Sequence, residues 1–262
     1  MKKVLLALLG IMLTASLAPG VARAEIGGWN IAVTPYLWGA GINGSATLGL
    51  HQADVEKTFS EILDDLEFAG MLNLQARKGR FGAYTDVTFL GLGDMHEKTL
   101  ADGTPVLQAS SSIDSWIVDF GASWSVAQWG TGGKDTRGAV DLLVGGRYWS
   151  VDTEIKAESP VFGGERRVEK TMSWVDPIVG ARFAAALTPR LQLLGRADVG
   201  GFELGSASKL TWSASAFLGW HFTPLLSAYV GYKHLAIERE DDHANTLDLA
   251  FSGPALGLSF TF

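Results

Sequence analysis

The chain has 262 residues, a formal charge of −7, no cysteine, 32 glycines and 10% aromatic residues. The missing thiols exclude disulfides, zinc–thiolate centres and cysteine nucleophiles, and the acidic balance speaks against nucleic acid, whose phosphates it repels. High glycine and aromatic content suits strands that show one face to lipid and the other to a polar lumen.

Residues 1–24 read as a secretory signal peptide. Lys2 and Lys3 give a positive start, Val4 to Ala18 form an apolar run, and Ala22-Arg23-Ala24 supplies small residues at a cleavage site. The run is short of the ~20 residues that a spanning helix needs. Cleavage before Glu25 leaves residues 25–262 as the folded part; losing Lys2, Lys3 and Arg23 takes the charge from −7 to −10.

From residue 28 onward, alternation dominates. Ten strands are expected, over 28–45, 67–78, 81–93, 109–128, 138–157, 167–187, 191–204, 208–222, 226–239 and 246–262. Twelve follow if 28–56 is itself a hairpin, and eight if one pair lies outside a membrane. In 175–187, Val175, Pro177, Val179, Ala181, Phe183, Ala185 and Leu187 share one face, opposite Asp176, Ile178, Gly180, Arg182 and Ala184. In 211–222, Trp212, Ala214, Ala216, Leu218, Trp220 and Phe222 oppose Thr211, Ser213, Ser215, Gly219 and His221. Transmembrane strands need about 9–11 residues, and these are long enough.

Between the strands, Lys78-Gly79-Arg80, Thr188-Pro189 and Thr223-Pro224 mark short turns, while 46–66, 94–108, 158–166 and 240–245 read as longer polar loops. Short turns alternating with long loops are the asymmetry of an outer-membrane barrel, with 129–137 longer than that pattern wants. In the first external loop, Thr58-Phe59-Ser60-Glu61 fits a capping box and predicts a short helix with Phe59, Ile62, Leu63 and Leu66 on one side. The fold class is therefore all-β: a transmembrane antiparallel meander β-barrel of about ten strands.

Aromatics crowd the strand ends. Trp29, Phe81, Trp124, Trp129, Phe183, Trp220, Phe222 and Phe260 are assigned to a periplasmic girdle, and Trp38, Phe89, Trp116, Tyr148 and Trp212 to an outer one. At the carboxyl end, Leu256, Leu258, Phe260 and Phe262 share a face. Gly257, Phe260 and the terminal Phe262 resemble the assembly signal that barrel assembly machinery reads.

The inward face then carries Asn73, Gln75, Arg77, Asp86, Asp119, Asp141, Arg147, Asp176, Arg182, Arg196, Asp198 and Lys233. Five acids and five bases among them predict a paired network, either a salt-bridged plug or the lining of a narrow pore. Other chemistry is thin. Glu238-Arg239-Glu240-Asp241-Asp242-His243 reads as a solvated hairpin tip without the glycine and spacing of a calcium loop, so no metal site is expected. Glu165-Arg166-Arg167 and Lys170 are placed to meet lipopolysaccharide phosphates or to lace strand ends. There is no G-x-S-x-G elbow, and His51, His96, His221, His234 and His243 are scattered, so no enzyme and no cofactor are expected; His221-Phe222-Thr223 comes nearest to a His-x-Ser pair. His234 is expected in the headgroup zone.

Thr34-Pro35-Tyr36-Leu37-Trp38, Phe59-Ser60-Glu61-Ile62-Leu63-Asp64, Gly146-Arg147-Tyr148-Trp149, Trp174-Val175-Asp176-Pro177 and Gly253-Pro254-Ala255-Leu256-Gly257-Leu258 together resemble a family of uncharacterised proteobacterial outer-membrane β-barrels. More loosely, Gly231-Tyr232-Lys233-His234 is similar to a strand motif of opacity-like surface barrels. The resemblance spans nearly all of 25–262 and implies a fold and an outer-membrane location, but no catalytic residues. The expected role is structural or that of a narrow channel with a charged Asp/Arg lumen. The alternative is surface recognition or adhesion through external loops, and a lipid-modifying enzyme runs third. Outer-membrane lipid and lipopolysaccharide are the expected partners; the sequence names no solute.

Overall fold

The computed structural model describes residues 28–48, 51–99, 105–130, 138–158, 165–240 and 246–262. The expected signal peptide at 1–24 and residues 241–243 of the expected hairpin tip lie outside the described residues.

Among the described residues, twelve strands form one antiparallel sheet: β1 (Asn30–Trp38), β2 (Gly41–Leu48), β3 (His51–Lys57), β4 (Leu66–Lys78), β5 (Phe81–Thr99), β6 (Pro105–Trp129), β7 (Gly138–Glu158), β8 (Glu165–Ala186), β9 (Leu191–Gly201), β10 (Leu210–His221), β11 (Leu226–Glu240) and β12 (Thr246–Thr261). Ten of them close into a barrel, in the order β1, then β4 through β12, with β12 returning to β1. Closure removes the free edges that an open sheet leaves unpaired. At the seam, Phe262 donates to Ile31 O at 2.8 Å and Ile31 donates to Phe262 O at 3.0 Å.

The two remaining strands correct the expected first strand, 28–45. The chain breaks at Gly39–Ala40 because its partners change there. β1 lies between β12 and β4, whereas β2 keeps β12 on one side and takes β3 on the other. The β2–β3 hairpin thus prolongs the wall at the open end instead of adding to the barrel circumference. The predicted helix follows as α1 (Phe59–Asp64). Its capping box is made: the Thr58 amide donates to Glu61 Oε2 at 2.7 Å, and the Glu61 amide donates to Thr58 Oγ1 at 3.4 Å.

The expected loop 94–108 is mostly strand, whereas the strands on either side of 158–166 end within two residues of their expected bounds. β5 continues to Thr99 and β6 starts at Pro105, while β7 runs to Glu158 and β8 starts at Glu165. By contrast, β9 and β10 are shorter than expected, and 202–209 is a turn. The 25-residue β6 greatly exceeds the roughly 9–11 residues needed for a crossing, so the wall rises far above a bilayer on the β5–β8 side. On the β9–β10 side, strands of 11 and 12 residues barely exceed that need.

Outward side chains are apolar along the crossing segments. Leu142, Val144, Val175, Val179, Leu218, Val230 and Leu256 are exposed, the last two at 57% each. Above them on β11 and β12, the facing pair Glu238 and Asp248 ends the apolar band. Trp29, Phe81, Trp124, Trp129, Phe183, Trp220 and Phe222 are exposed as expected of one girdle, and Trp116 and Trp212 as expected of the other. An apolar band of this extent matches hydrocarbon, and in water it would drive aggregation. Trp38 departs from the expected girdle. It is 6% exposed and turns inward, its indole donating to Lys233 O at 3.2 Å.

Candidate functional site

The ten charged residues expected in the lumen all point inward, and they stack in tiers along it. Period-2 geometry explains the placement, because each sits one residue away from a lipid-facing neighbour. Near the short-turn end, Arg77 and Arg182 both bind Asp141: Arg182 Nε and Nη2 lie 3.0 and 2.8 Å from its Oδ2, and Arg77 adds a second fork. Ser125 joins this group, accepting from Arg77 at 2.6 Å and donating to Asp141. A chain of amides leads upward. Arg182 donates to Gln75 at 2.5 Å, Gln75 to Asn73 at 2.8 Å and Asn73 to Asp86 at 2.9 Å.

In the middle tier, Lys233 binds Asp86 at 3.1 Å and the Tyr36 hydroxyl at 3.0 Å, and that hydroxyl donates to Asp86 at 2.7 Å. The Lys233 ammonium also lies 4.8 Å from the centre of the Trp38 ring. Alongside, Arg147 grips both oxygens of Asp119 at 2.6 and 2.9 Å, Asp198 at 2.8 Å and Thr211 at 3.0 Å. Arg196 binds the same two carboxylates at 2.9 Å each, and Ser213 completes Asp198 at 2.7 Å. Arg147 is 1% exposed.

Asp176 corrects the expectation that five acids meet five bases. It is 0% exposed, yet no cation is paired with it among the described residues. Three neutral donors hold it instead: Trp149 Nε1 at 2.8 Å, the Ser208 amide at 2.6 Å and Ser208 Oγ at 2.9 Å. Asp141, with two arginines, balances the count. Above Asp176 the lumen turns apolar. Trp149 stacks on Trp174 with ring centres 5.7 Å apart, and Trp38, Leu235 and Ile237 pack with them. The Arg239 guanidinium lies 4.2 Å from the Trp174 ring centre.

Two histidine arrangements escaped sequence reasoning. Inside the short-turn end, His221 Nδ1 is 2.6 Å from Ser227 Oγ and its Nε2 is 3.1 Å from Gln192 Oε1. The hairpin register supplied a signal for half of this, since a tight Thr223-Pro224 turn sets His221 opposite Ser227. On the outer wall, His234 lies against Trp212 with ring centres 4.4 Å apart, and its Nδ1 is 2.6 Å from Ser252 Oγ. Gly257, Phe260 and Phe262 lie in β12 and at its end, where the barrel closes on β1. No group of three or more His, Asp or Glu among the described residues is arranged to hold a metal ion.

No protein-family model and no curated protein matches the chain. Solved structures do. The outer membrane protease OmpT from Escherichia coli is similar over 93% of this chain and 99% of its own, with 10% identity and a TM-score of 0.57. The translocator domain of the autotransporter NalP from Neisseria meningitidis covers 98% of this chain and 95% of its own at 14% identity and a TM-score of 0.42. The attachment invasion locus protein Ail of Yersinia pestis, in complex with sucrose octasulfate, covers 90% and 99% at 13% identity and 0.35. The closed ten-strand wall, its apolar girdled exterior and the OmpT likeness agree: this chain has the fold of the outer-membrane β-barrels.

Proposed function

We propose that the protein is a structural outer-membrane barrel whose lumen is sealed by its own charges, and that it does not conduct ions. The burial of Arg147 carries this reading: a guanidinium with four side-chain hydrogen bonds and 1% exposure stands where a pore would need water. The tiers above and below draw on the remaining strands, so the section is bridged at several heights. The test is planar-bilayer conductance of refolded protein whose folding is shown by heat-modifiable gel mobility. Silent membranes are expected, and discrete openings from folded protein would overturn the seal.

The length of β5–β8 favours a second role, surface recognition by the wall that rises above the bilayer. Removing the tips of the β5–β6 and β7–β8 hairpins should leave the barrel folded and abolish binding of whole cells to host or neighbouring surfaces. Unchanged binding by the trimmed barrel would exclude that role.

Catalysis is not part of the proposal. His221 has the reach of a general base toward Ser227, but its other nitrogen meets a neutral amide, and Ser227 is buried. A fluorophosphonate probe should leave the folded barrel unlabelled. Labelling that disappears in Ser227→Ala would make Ser227 a nucleophile.

A further inference from the structure

The turn between β9 and β10 is built against its own sequence. Phe202 and Glu203 both adopt left-handed backbone, with φ of 62° and 55°, and they are the non-glycine residues of positive φ among those described. That region favours glycine or asparagine, and a phenylalanine there is strained. Gly201 and Gly205, at φ of 91° and 66°, flank the pair. The strain is held in place from inside. Glu203 donates to Ser208 O at 3.1 Å and Ala207 to Leu204 O at 3.2 Å, while buried Ser208 is fixed twice to Asp176. The result is a turn pinned in the lumen at one end and presenting exposed Phe202 and Leu204 at the other.

The height of this turn is set by register. Leu210 faces Glu238, and Glu238 faces Asp248, so the turn leaves the wall where the outward face changes from apolar to charged. Lys209 joins this row, 2.8 Å from Glu238. Below it, Trp212, Leu218 and Trp220 continue the lipid-facing band. A bulky aromatic and a leucine exposed at that boundary suit the zone between headgroups and acyl chains.

We propose that Phe202 and Leu204 form a wedge that inserts into the outer-leaflet interface, and that the buried Asp176–Ser208 latch holds it in position. The wedge is continuous with the apolar band. It ties the short side of the barrel to the membrane surface while the β5–β8 side stands clear. This inference rests on the transmembrane reading of the barrel, and the experiment separates the two.

With no native cysteine, single labels are clean. Phe202→Cys, Leu204→Cys, Leu218→Cys and Glu169→Cys carry an environment-sensitive fluorophore and are refolded into phosphatidylcholine–phosphatidylglycerol vesicles. Some vesicles contain lipid with a nitroxide at the headgroup, others at mid-chain. The Leu218 label should be quenched most by the mid-chain nitroxide and the Glu169 label by neither. Labels at 202 and 204 should be blue-shifted and quenched most by the headgroup nitroxide. If they behave like the Glu169 label while Leu218 is quenched, the wedge is wrong and the barrel reading stands. If Leu218 escapes quenching as well, the transmembrane reading itself fails. In the same vesicles, Asp176→Asn should weaken the quenching at 202; quenching equal to that of the unaltered latch would overturn the latch.

Discussion

Replacing Arg147 with alanine is expected to lower the stability of the barrel by about 3–5 kcal/mol, the usual cost of stranding buried charge. The loss falls on particular atoms. Asp119 and Asp198 share two cations, Arg147 and Arg196, and the substitution leaves two desolvated carboxylates around one guanidinium. Thr211 loses its donor as well. At roughly 1.4 kcal/mol per tenfold, the ratio of folded to unfolded protein falls by about two to three and a half powers of ten at fixed denaturant. A urea titration read by heat-modifiable gel mobility should show the midpoint moving down. Arg147→Lys keeps the charge but cannot grip both oxygens of Asp119, so it should fall between the two. Adding Asp198→Asn to Arg147→Ala removes the stranded charge and should recover part of the loss. An unchanged midpoint in Arg147→Ala would show that Arg147 is solvated, and the sealed lumen would have to be abandoned.

Asp119 and Arg147 were legible as lumen residues because each interrupts an apolar alternation, and a strand of fixed period leaves them only one side to face. The same logic located Asp86, Asp141, Arg182 and Lys233, and the exposed faces of β8 and β10. It gave the wrong extent to 94–108 for a physical reason. Where β5–β8 rise above the bilayer, lipid no longer imposes an apolar outer face, so strand sequence there looks like loop. Trp38 was misplaced by the opposite error. A tryptophan near a strand end suggests a girdle, but its parity with Tyr36 puts it in the lumen, where Lys233 meets both rings. The partner of Asp176 could not be read at all, since Ser208 arrives from a turn whose shape depends on two residues in an unfavoured conformation. Which acid takes two arginines and which takes none is a matter of three-dimensional reach, and alternation carries no such information.

Gly145→Ala is the second substitution expected to have a large effect, and it acts on the same place through the backbone. A Cβ at 145 would stand 2.0 Å from Phe120 O and 2.8 Å from Gly121 Cα, both main-chain atoms of the neighbouring strand. Neither can rotate away, so β6 and β7 must separate where Gly121 faces Gly145. Overpacking of a well-fitted site costs about 1–3 kcal/mol even where side chains can yield; here ladder hydrogen bonds must yield, and failure to assemble is expected. Gly195→Ala is the matching control, because a Cβ there meets nothing closer than Ser215 O at 3.9 Å. It should change stability by no more than about 0.5 kcal/mol. The yield of heat-modifiable barrel on refolding would compare the two, and equal yields would show that the β6–β7 backbones are not in close contact. Gly145 sits two residues from Arg147, and Gly121 two from Asp119, so parting these strands also pulls the ion pair apart. Combined with Arg147→Ala, the glycine substitution should therefore cost less than the sum of the two alone, because both remove the same contact.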